Sequence, residues 1–286
     1  MIAIIVLVVA VALLWFVYLS IYGGGNGADA PMAGGPPAEE PGTSGSPANG
    51  DEVSADDGVE RPAFYDEGRS GRYEAFASLM PHLAFDDVVW RVNVDLDKTP
   101  YEDVSEVVDP LSRTALVTKH FYLPEDFSPS DLVSIGQSKM REEAAAAANE
   151  MFEAAKAEGH RLWVQSGYRS FGIQAGLFAQ YSASDGEEAE TYSARPGHSE
   201  HQLGLVADLN TISEAFGETP EGKWAAANCW YFGFIVRYTA ENSDVTLYKP
   251  EPWHLRYIGR EASTVMHDRS ILSFEEYWVK YVAFAR

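Results

Sequence analysis

Length, composition and charge already exclude several classes of protein. The chain has 286 residues, of which 43 are acidic and 21 are Lys or Arg, so its formal net charge is −22. A nucleic-acid-binding protein needs a basic surface to replace phosphate counterions, so we expect no nucleic-acid partner. Cys229 is the single cysteine, which excludes an intramolecular disulfide framework. The hydrophobic fraction of 46% is sufficient for a folded core and excludes a wholly disordered chain.

Residues 1–22 carry no charged side chain and predict a transmembrane helix. A helix of this length spans about 33 Å, enough to cross the hydrocarbon core of a bilayer. Trp15 and Tyr22 lie toward its distal end, where interfacial aromatic residues are common. A cleaved signal peptide and a buried core helix are the alternatives. Residues 28–30 read Ala-Asp-Ala, as at a cleavage site, but the apolar run is longer than a signal peptide needs and no basic residue precedes it.

Residues 23–60 predict a disordered linker. They are rich in Gly, Pro, Ala and Ser and carry acidic but no basic side chains. Such a segment cannot bury enough apolar surface to offset the chain entropy lost on folding. All histidines and all basic residues lie in residues 61–286, which are therefore expected to form the folded domain.

The order of helical and strand patterns in the folded part predicts an α+β fold. Short strands follow one another with short connections, which favours a small antiparallel sheet flanked by helices over a doubly wound parallel sheet. Helices are predicted at residues 137–160, 172–181, 222–230 and 274–285. Strands are predicted at 161–165, 204–209, 234–238 and 253–258, with a polar loop at 182–200.

Two short segments combine histidines and acidic residues in a pattern typical of a metal site. Asp208 follows His201 by seven residues and lies in an apolar strand, where a carboxylate is costly to bury unless it is paired or binds a metal. His254 ends the tetrapeptide that begins at Glu251. Three nitrogen or oxygen ligands with an open fourth position are typical of catalytic zinc, and a nearby carboxylate would act as general base. By spacing alone, satisfied polar or surface residues remain the alternative, and His198 is as eligible as His201.

Four segments together resemble the zinc D-alanyl-D-alanine carboxypeptidases of the VanY type. They are Ser-Gly-Tyr-Arg-Ser at 166–170 with Gln174, Ser-Glu-His at 199–201 with Gly204 and Asp208, residues 230–238, and Glu-Pro-Trp-His at 251–254. Their order and spacing agree with that family, and the likeness extends over roughly residues 85–260. The resemblance implies a zinc-peptidase domain with an N-terminal extension, here preceded by the predicted membrane helix and linker.

The resemblance also implies roles for individual residues. His201, Asp208 and His254 match the zinc ligands, Glu251 the catalytic base, Arg169 the residue that stabilises the oxyanion and contacts substrate, and Gln174 and Ser199 polar residues that hold the peptide. Beside these, Trp253 is expected to form a wall of the substrate pocket and Tyr168 to pack, with a functional role as its alternative. Glu200 is expected to be a solvated loop acid, and the alternative is that it supports the adjacent ligand His201.

The implied function is removal of a terminal D-alanine from peptidoglycan stem peptides by a D,D-carboxypeptidase. The enzyme is expected to be a single-pass protein of the cell membrane with an extracytoplasmic catalytic domain. An L,D-carboxypeptidase or a peptidoglycan endopeptidase would use the same zinc site, and the loop at 182–198 is expected to select among them. A catalytically silent, membrane-tethered wall-binding module is a further alternative, which the presence of Glu251 and the acidic composition disfavour.

Overall fold

The structure, a computed structural model, describes residues 60–284 of the chain. No helix among these residues is long and apolar enough to cross a membrane. The predicted membrane helix at 1–22 and residues 23–59 of the predicted linker lie outside the described residues.

Helices and short strands alternate along the described part of the chain. The helices are α1 (Ser70–Leu79), α2 (Phe85–Asn93), α3 (Glu142–Ala157), α4 (Phe171–Asp185), α5 (Pro220–Asn228), α6 (Ser243–Thr246), α7 (Arg260–Asp268) and α8 (Phe274–Trp278). The strands are β1 (Ser105–Glu106), β2 (Phe121–Tyr122), β3 (Leu132–Ile135), β4 (Ser138–Arg141), β5 (Val164–Ser166), β6 (Val206–Leu209), β7 (Phe234–Val236) and β8 (His254–Tyr257). Single 3-10 turns lie at Glu67–Arg69, Gly186–Thr191, Glu200–Leu203, Glu214–Glu218, Cys229–Phe232 and Ala240–Asn242, and a π turn at Val279–Ala283 follows α8.

A four-stranded antiparallel sheet positions the predicted site residues. Its strand order is β5-β6-β8-β7, so β6 and β8 form the central pair. Asp208 on β6 and His254 on β8 are direct register partners. Because side chains alternate between the faces of a strand, these two share one face while Ala207 and Leu255 point into the core. The predicted α+β fold with a small antiparallel sheet is confirmed.

Helix α3 shares the main core with the apolar face of this sheet. Ala144, Ala148 and Met151 on α3 are fully buried in the same cluster as Leu209 and Leu255. Burying a leucine side chain contributes about 1.5–3 kcal/mol relative to leaving it exposed. The cluster therefore fixes the sheet against the helix and leaves the opposite face free for polar chemistry.

A second apolar cluster joins the segments that precede and follow the sheet. Tyr73 on α1 and Trp90 on α2 are buried together with Met266 on α7 and Phe274 and Tyr277 on α8. Aromatic side chains of this size contribute large buried areas. Both flanking segments are thus part of the same packed structure as the sheet.

Several helix and loop boundaries in the structure differ from those predicted from the sequence. The predicted helix at 137–160 begins only at Glu142, because β3 and β4 form a hairpin around Gly136, whose φ of +58° suits a tight turn. The predicted loop at 182–200 is helical at first, since α4 continues to Asp185 and a 3-10 turn follows. The predicted helix at 274–285 is α-helical only to Trp278 and continues as a π turn.

Gly167 allows the turn after β5 to pass against the backbone of β4. A Cβ atom at this position would lie 2.3 Å from the Lys139 carbonyl oxygen. Gly167→Ala should therefore displace the turn and lower the free energy of unfolding by about 1–3 kcal/mol. Gly172→Ala is the matched control in the first turn of α4, because a Cβ atom added there would have no other atom within 4 Å. This variant should raise the free energy of unfolding by about 0.5–1 kcal/mol. Urea unfolding measures both, and equal stabilities would contradict the close approach.

Candidate active site

Three buried side chains converge on the polar face of the sheet. His201 comes from the 3-10 turn Glu200–Leu203 directly before β6, and Asp208 and His254 from the central strand pair. Potential ligand atoms of the three all lie within 4.8 Å of one another, and they are the one such group of His, Cys, Asp or Glu found among residues 60–284. Each residue is at most 5% exposed. The structure thus brings the three predicted metal ligands together.

The geometry of the cluster leaves one nitrogen of each histidine facing Asp208. His201 Nε2 lies 3.2 Å from Asp208 Oδ2, and His254 Nδ1 lies 3.2 Å from Asp208 Oδ1. His201 Nδ1 is 2.6 Å from the Gly167 carbonyl oxygen, so this nitrogen carries the proton and donates it, which leaves the lone pair on Nε2.

The donor set fits a bound cation. Asp208 Oδ1 is buried and has no hydrogen-bond partner among the described residues, a costly arrangement that a metal ion between the three side chains would relieve. Two imidazole nitrogens and one carboxylate oxygen are a ligand set that zinc accepts, with a position left open.

Burial and charges within the cluster favour the ligand-competent forms of Asp208 and His201. Burial opposes ionisation of Asp208, but His201 and His254 outweigh it and lower the pKa of Asp208 below its ordinary value. Burial, reinforced by Arg169, lowers the pKa of His201. An ionised carboxylate and a neutral imidazole are the states that bind a metal ion. Burial lowers the pKa of His254, but its contacts with Asp208 and Glu200 outweigh it and raise this pKa to about 9, so a metal ion must displace a proton from that ring.

Glu251 lies at the edge of this cluster, three residues before His254. Its Oε2 atom is 3.5 Å from His254 Nδ1. Burial raises the pKa of Glu251 to about 7, with His254 opposing the shift and Asp208 adding to it. A carboxyl group whose pKa is near neutrality can take up and release a proton at physiological pH, which is what a general base requires.

Arg169 points toward the same cluster and is held by Gln174. Arg169 Nη1 donates to Gln174 Oε1 at 2.8 Å, and Arg169 Nη2 lies 3.9 Å from Asp208 Oδ2. Gln174 Nε2 donates to the Ala194 carbonyl oxygen at 2.6 Å. Gln174, which is only 2% exposed, therefore fixes the guanidinium and links it to the loop that precedes His201.

These side chains line a cavity of about 630 Å³. Ser199 and Trp253 line it as well, and so does Tyr168, whose hydroxyl also donates to Ser128 Oγ at 3.0 Å. Sequence reasoning did not single out other members of the lining, which include Tyr181, Tyr192, Ser193, Ile212, Tyr238 and Tyr248. Tyr238 lies at the end of the 230–238 segment, whereas nothing in the spacing distinguishes Tyr248 from the other tyrosines.

Glu200 is not the solvated loop acid that the sequence predicts. It is 1% exposed, and its Oε1 atom accepts from Arg237 Nε and from Arg256 Nη1, both at 2.9 Å. Burial raises the pKa of Glu200, but Arg237 and Arg256 outweigh it and lower the pKa below its ordinary value. Glu200 is thus an ionised carboxylate inside the protein. His198, by contrast, lies outside the cluster, with its Nδ1 atom 2.7 Å from the Thr118 carbonyl oxygen.

Comparison with known proteins identifies the family. Residues 137–260 match the family described as VanY, D-alanyl-D-alanine carboxypeptidase. A Bacillus subtilis protein described as putative carboxypeptidase YodJ is 40% identical over 196 residues, which cover 63% of this chain and 71% of the relative. The chain belongs to the VanY family.

Solved structures of similar proteins agree with this VanY-family assignment. The LdcB LD-carboxypeptidase is 40% identical, with a TM-score of 0.59 over 63% of this chain and 91% of that one. A vancomycin-resistance D,D-pentapeptidase VanY in complex with Zn(II) is 32% identical, with a TM-score of 0.51 over 58% of this chain and 98% of that one. The chain is a zinc metallopeptidase, and the family predicted from its four segments is confirmed.

The cluster predicts how zinc binding divides between ligands and base. One zinc ion per chain should bind, and Asp208→Ala or His254→Ala should each lose it, because each removes one of three ligands. Glu251→Ala should keep zinc, since this carboxylate lies beside the three-residue cluster and is not part of it. Zinc content after gel filtration measures the difference. Zinc lost from the Glu251 variant and kept by the Asp208 variant would show that base and ligand are exchanged.

Proposed function

We propose that this VanY-family metallopeptidase removes the terminal D-alanine from peptidoglycan stem peptides. The observation that carries the proposal is the buried His201, Asp208 and His254 cluster, with Glu251 at its edge and Arg169 beside it in one cavity. The relationship to a zinc-bound D,D-pentapeptidase supports the same substrate chemistry.

Ligands and base have separate roles in this proposal. His201 Nε2, His254 Nδ1 and the Asp208 carboxylate would hold zinc, which when bound supplies a Lewis acid that polarises the scissile carbonyl and the attacking water. Glu251 accepts a proton from that water and delivers it to the leaving amine of D-alanine. Its burial supports this role, because a carboxyl with a pKa near 7 exchanges protons readily in both directions.

Arg169 supplies the positive charge in the cavity. It is the one Arg or Lys among the described residues that line the cavity. Its distance of 3.9 Å from Asp208 Oδ2 puts the guanidinium next to the ligand set, where negative charge develops on the carbonyl oxygen during attack. A fixed donor at that position stabilises the transition state without reorganisation, and Gln174 supplies the fixing contact.

An L,D-carboxypeptidase acting on tetrapeptide stems is the second candidate. It is favoured by the 40% identity to the LdcB LD-carboxypeptidase. The two reactions differ in the residue that precedes the scissile bond, so the cavity wall decides between them. Tyr192, Ser193 and Ala194 form part of that wall, which supports the loop at 182–198 as the selector.

Defined stem peptides separate these activities. The wild-type protein should release D-alanine from a pentapeptide stem faster than from a tetrapeptide stem, and should not cleave a tripeptide. Glu251→Ala should lower kcat on the pentapeptide by about 10²-fold or more, because general-base catalysis is worth about 10²–10⁴. Glu218→Ala, which alters an exposed carboxylate paired only with Lys223, is the control.

Two results would contradict the proposal. A preference for the tetrapeptide would assign the L,D activity instead. Near-normal turnover in the Glu251 variant would remove the proposed base and favour a wall-binding role for the domain.

We also propose that residues 1–22 anchor the enzyme in the cell membrane, with the domain from residue 61 onward outside the cytoplasm. An uncharged apolar run long enough to span the bilayer supports the anchor. Residues 23–60 would serve as a flexible linker of roughly 35 Å average reach. Peptidoglycan lies outside the membrane, so the proposed substrate requires this orientation.

The full chain should therefore remain with the membrane fraction in high salt and be released by detergent. A chain that starts at Arg61 should be soluble and should bind zinc and hydrolyse stem peptides at the wild-type rate. Protease added to intact spheroplasts should digest the domain. A mature protein whose intact mass lacks the first 30 residues would instead support a cleaved signal peptide.

A further inference from the structure

Two buried polar atoms beside the metal cluster face each other without other partners. His254 Nε2 lies 3.5 Å from Glu200 Oε2, and neither atom has a hydrogen-bond partner among the described residues. Both residues are at most 4% exposed. Buried polar atoms without partners are costly, so this pair is expected to interact across that gap.

The two ring nitrogens of His254 face different groups, and this determines which of them can bind a metal ion. His254 Nδ1 faces Asp208 and Glu251, so a metal ligand at this position must bind through Nδ1. The proton of the neutral ring then lies on Nε2 and points to Glu200. A carboxylate opposite the outer nitrogen of a histidine ligand fixes its tautomer and orientation and increases its basicity.

The Glu200 carboxylate is itself held by a chain of ion pairs. Arg237 donates to Glu200 through Nε and to both oxygens of Glu275 through its other two nitrogens, at 3.1 and 2.6 Å. Arg256 donates to Glu200 and, through Nη2, to the Arg113 carbonyl oxygen at 3.1 Å. The two carboxylates balance the two guanidiniums, so this buried group is neutral as a whole.

Glu275 lies on α8, beyond the residues that match the family, and Arg113 lies before them. Side chains and backbone from both flanking segments thus hold the carboxylate that faces His254. Removing one charge from a buried, balanced group would leave the opposite charge buried without compensation, which is strongly destabilising and keeps the arrangement intact.

We propose that Glu200 is a positioning residue for the metal ligand His254, and that Glu275 acts on the same ligand through Arg237. The inference rests on the proposed zinc site and adds to it a device that orients one ligand from outside the cavity. It connects the C-terminal segment to metal affinity.

Nitrogen-15 spectra of the zinc-loaded wild-type protein test the contact without a substitution. The His254 ring should carry its proton on Nε2 and bind metal through Nδ1, and that proton should exchange slowly with solvent. Metal bound through Nε2 would overturn the proposal.

Substitutions test the energetic role. Glu200→Gln keeps the shape of the side chain and removes its charge, and it should weaken zinc binding by about 10–100-fold in a chelator competition assay. Glu275→Gln should cause a smaller loss in the same direction. Glu276→Gln is the matched control, because this neighbour on α8 pairs with Lys280 and not with the buried group; its zinc affinity should stay within about twofold of the wild-type value.

A further variant covers the case in which Glu200→Gln fails to fold. Glu200→Gln with Arg256→Gln removes one carboxylate and one guanidinium, leaves the pair of Arg237 and Glu275, and keeps the buried charge balanced. It should also bind zinc more weakly, and the absorption spectrum of its Co(II) form should differ from that of the wild type. Folded variants with wild-type zinc affinity would overturn the positioning role alone, whereas a wild-type protein that binds no zinc would overturn the proposed function.

Discussion

The pairing of Asp208 with His254 across the two central strands is the constraint on which the site depends. A shift of β6 by one residue against β8 would turn Asp208 into the apolar core and bring Ala207, the register partner of Leu255, to the polar face. The burial of that apolar pair against α3 opposes such a shift. His201 joins them because the 3-10 turn before β6 ends at Gly204, whose φ of +69° reverses the chain at once.

Buried charge is organised in two layers around this pairing. The outer layer of Glu200, Glu275, Arg237 and Arg256 is balanced and fully hydrogen-bonded to itself and to backbone, apart from the Glu200 oxygen that faces His254. The inner layer contains a carboxylate oxygen of Asp208 that has no hydrogen-bond partner among the described residues. A balanced outer layer resists movement because each broken pair would leave an isolated charge, so the inner layer is held in a geometry that a cation completes.

The sequence was informative where the chemistry is local and uninformative where it depends on distant partners. His201, Asp208, His254 and Glu251 lie in two short segments whose residue types suggest a metal site, and the sheet brings those segments together. Glu200 could not be interpreted in this way, because its partners Arg237 and Arg256 lie 37 and 56 residues away. An acid flanked by polar residues is usually solvated, and only the tertiary structure shows two guanidiniums at its carboxylate.

The start of α3 was misplaced for a related reason. Residues 137–141 have side chains that a helix accepts, but pairing with β3 across Gly136 outweighs this local preference. Secondary-structure propensity amounts to tenths of a kcal/mol per residue, which a paired strand easily exceeds. The hairpin matters for the site, because the Lys139 carbonyl oxygen accepts from the Tyr168 amide at 2.7 Å and so positions the turn that carries Arg169.

The segment before the family match also supports the wall of the cavity, through Tyr101 and Lys119. Lys119 is buried and donates to the carbonyl oxygens of Glu190 and Leu247, both at 2.8 Å, and its ammonium lies 4.5 Å from the centre of the Tyr248 ring. The Tyr101 hydroxyl lies 3.3 Å from that of Tyr248. Since Tyr248 lines the cavity, the N-terminal segment supports the surface that meets the substrate, while the C-terminal segment reaches the ligand His254 through Glu275 and Arg237. Changes at Tyr101 or Lys119 are therefore expected to alter the cavity wall, and changes at Glu275 the environment of His254.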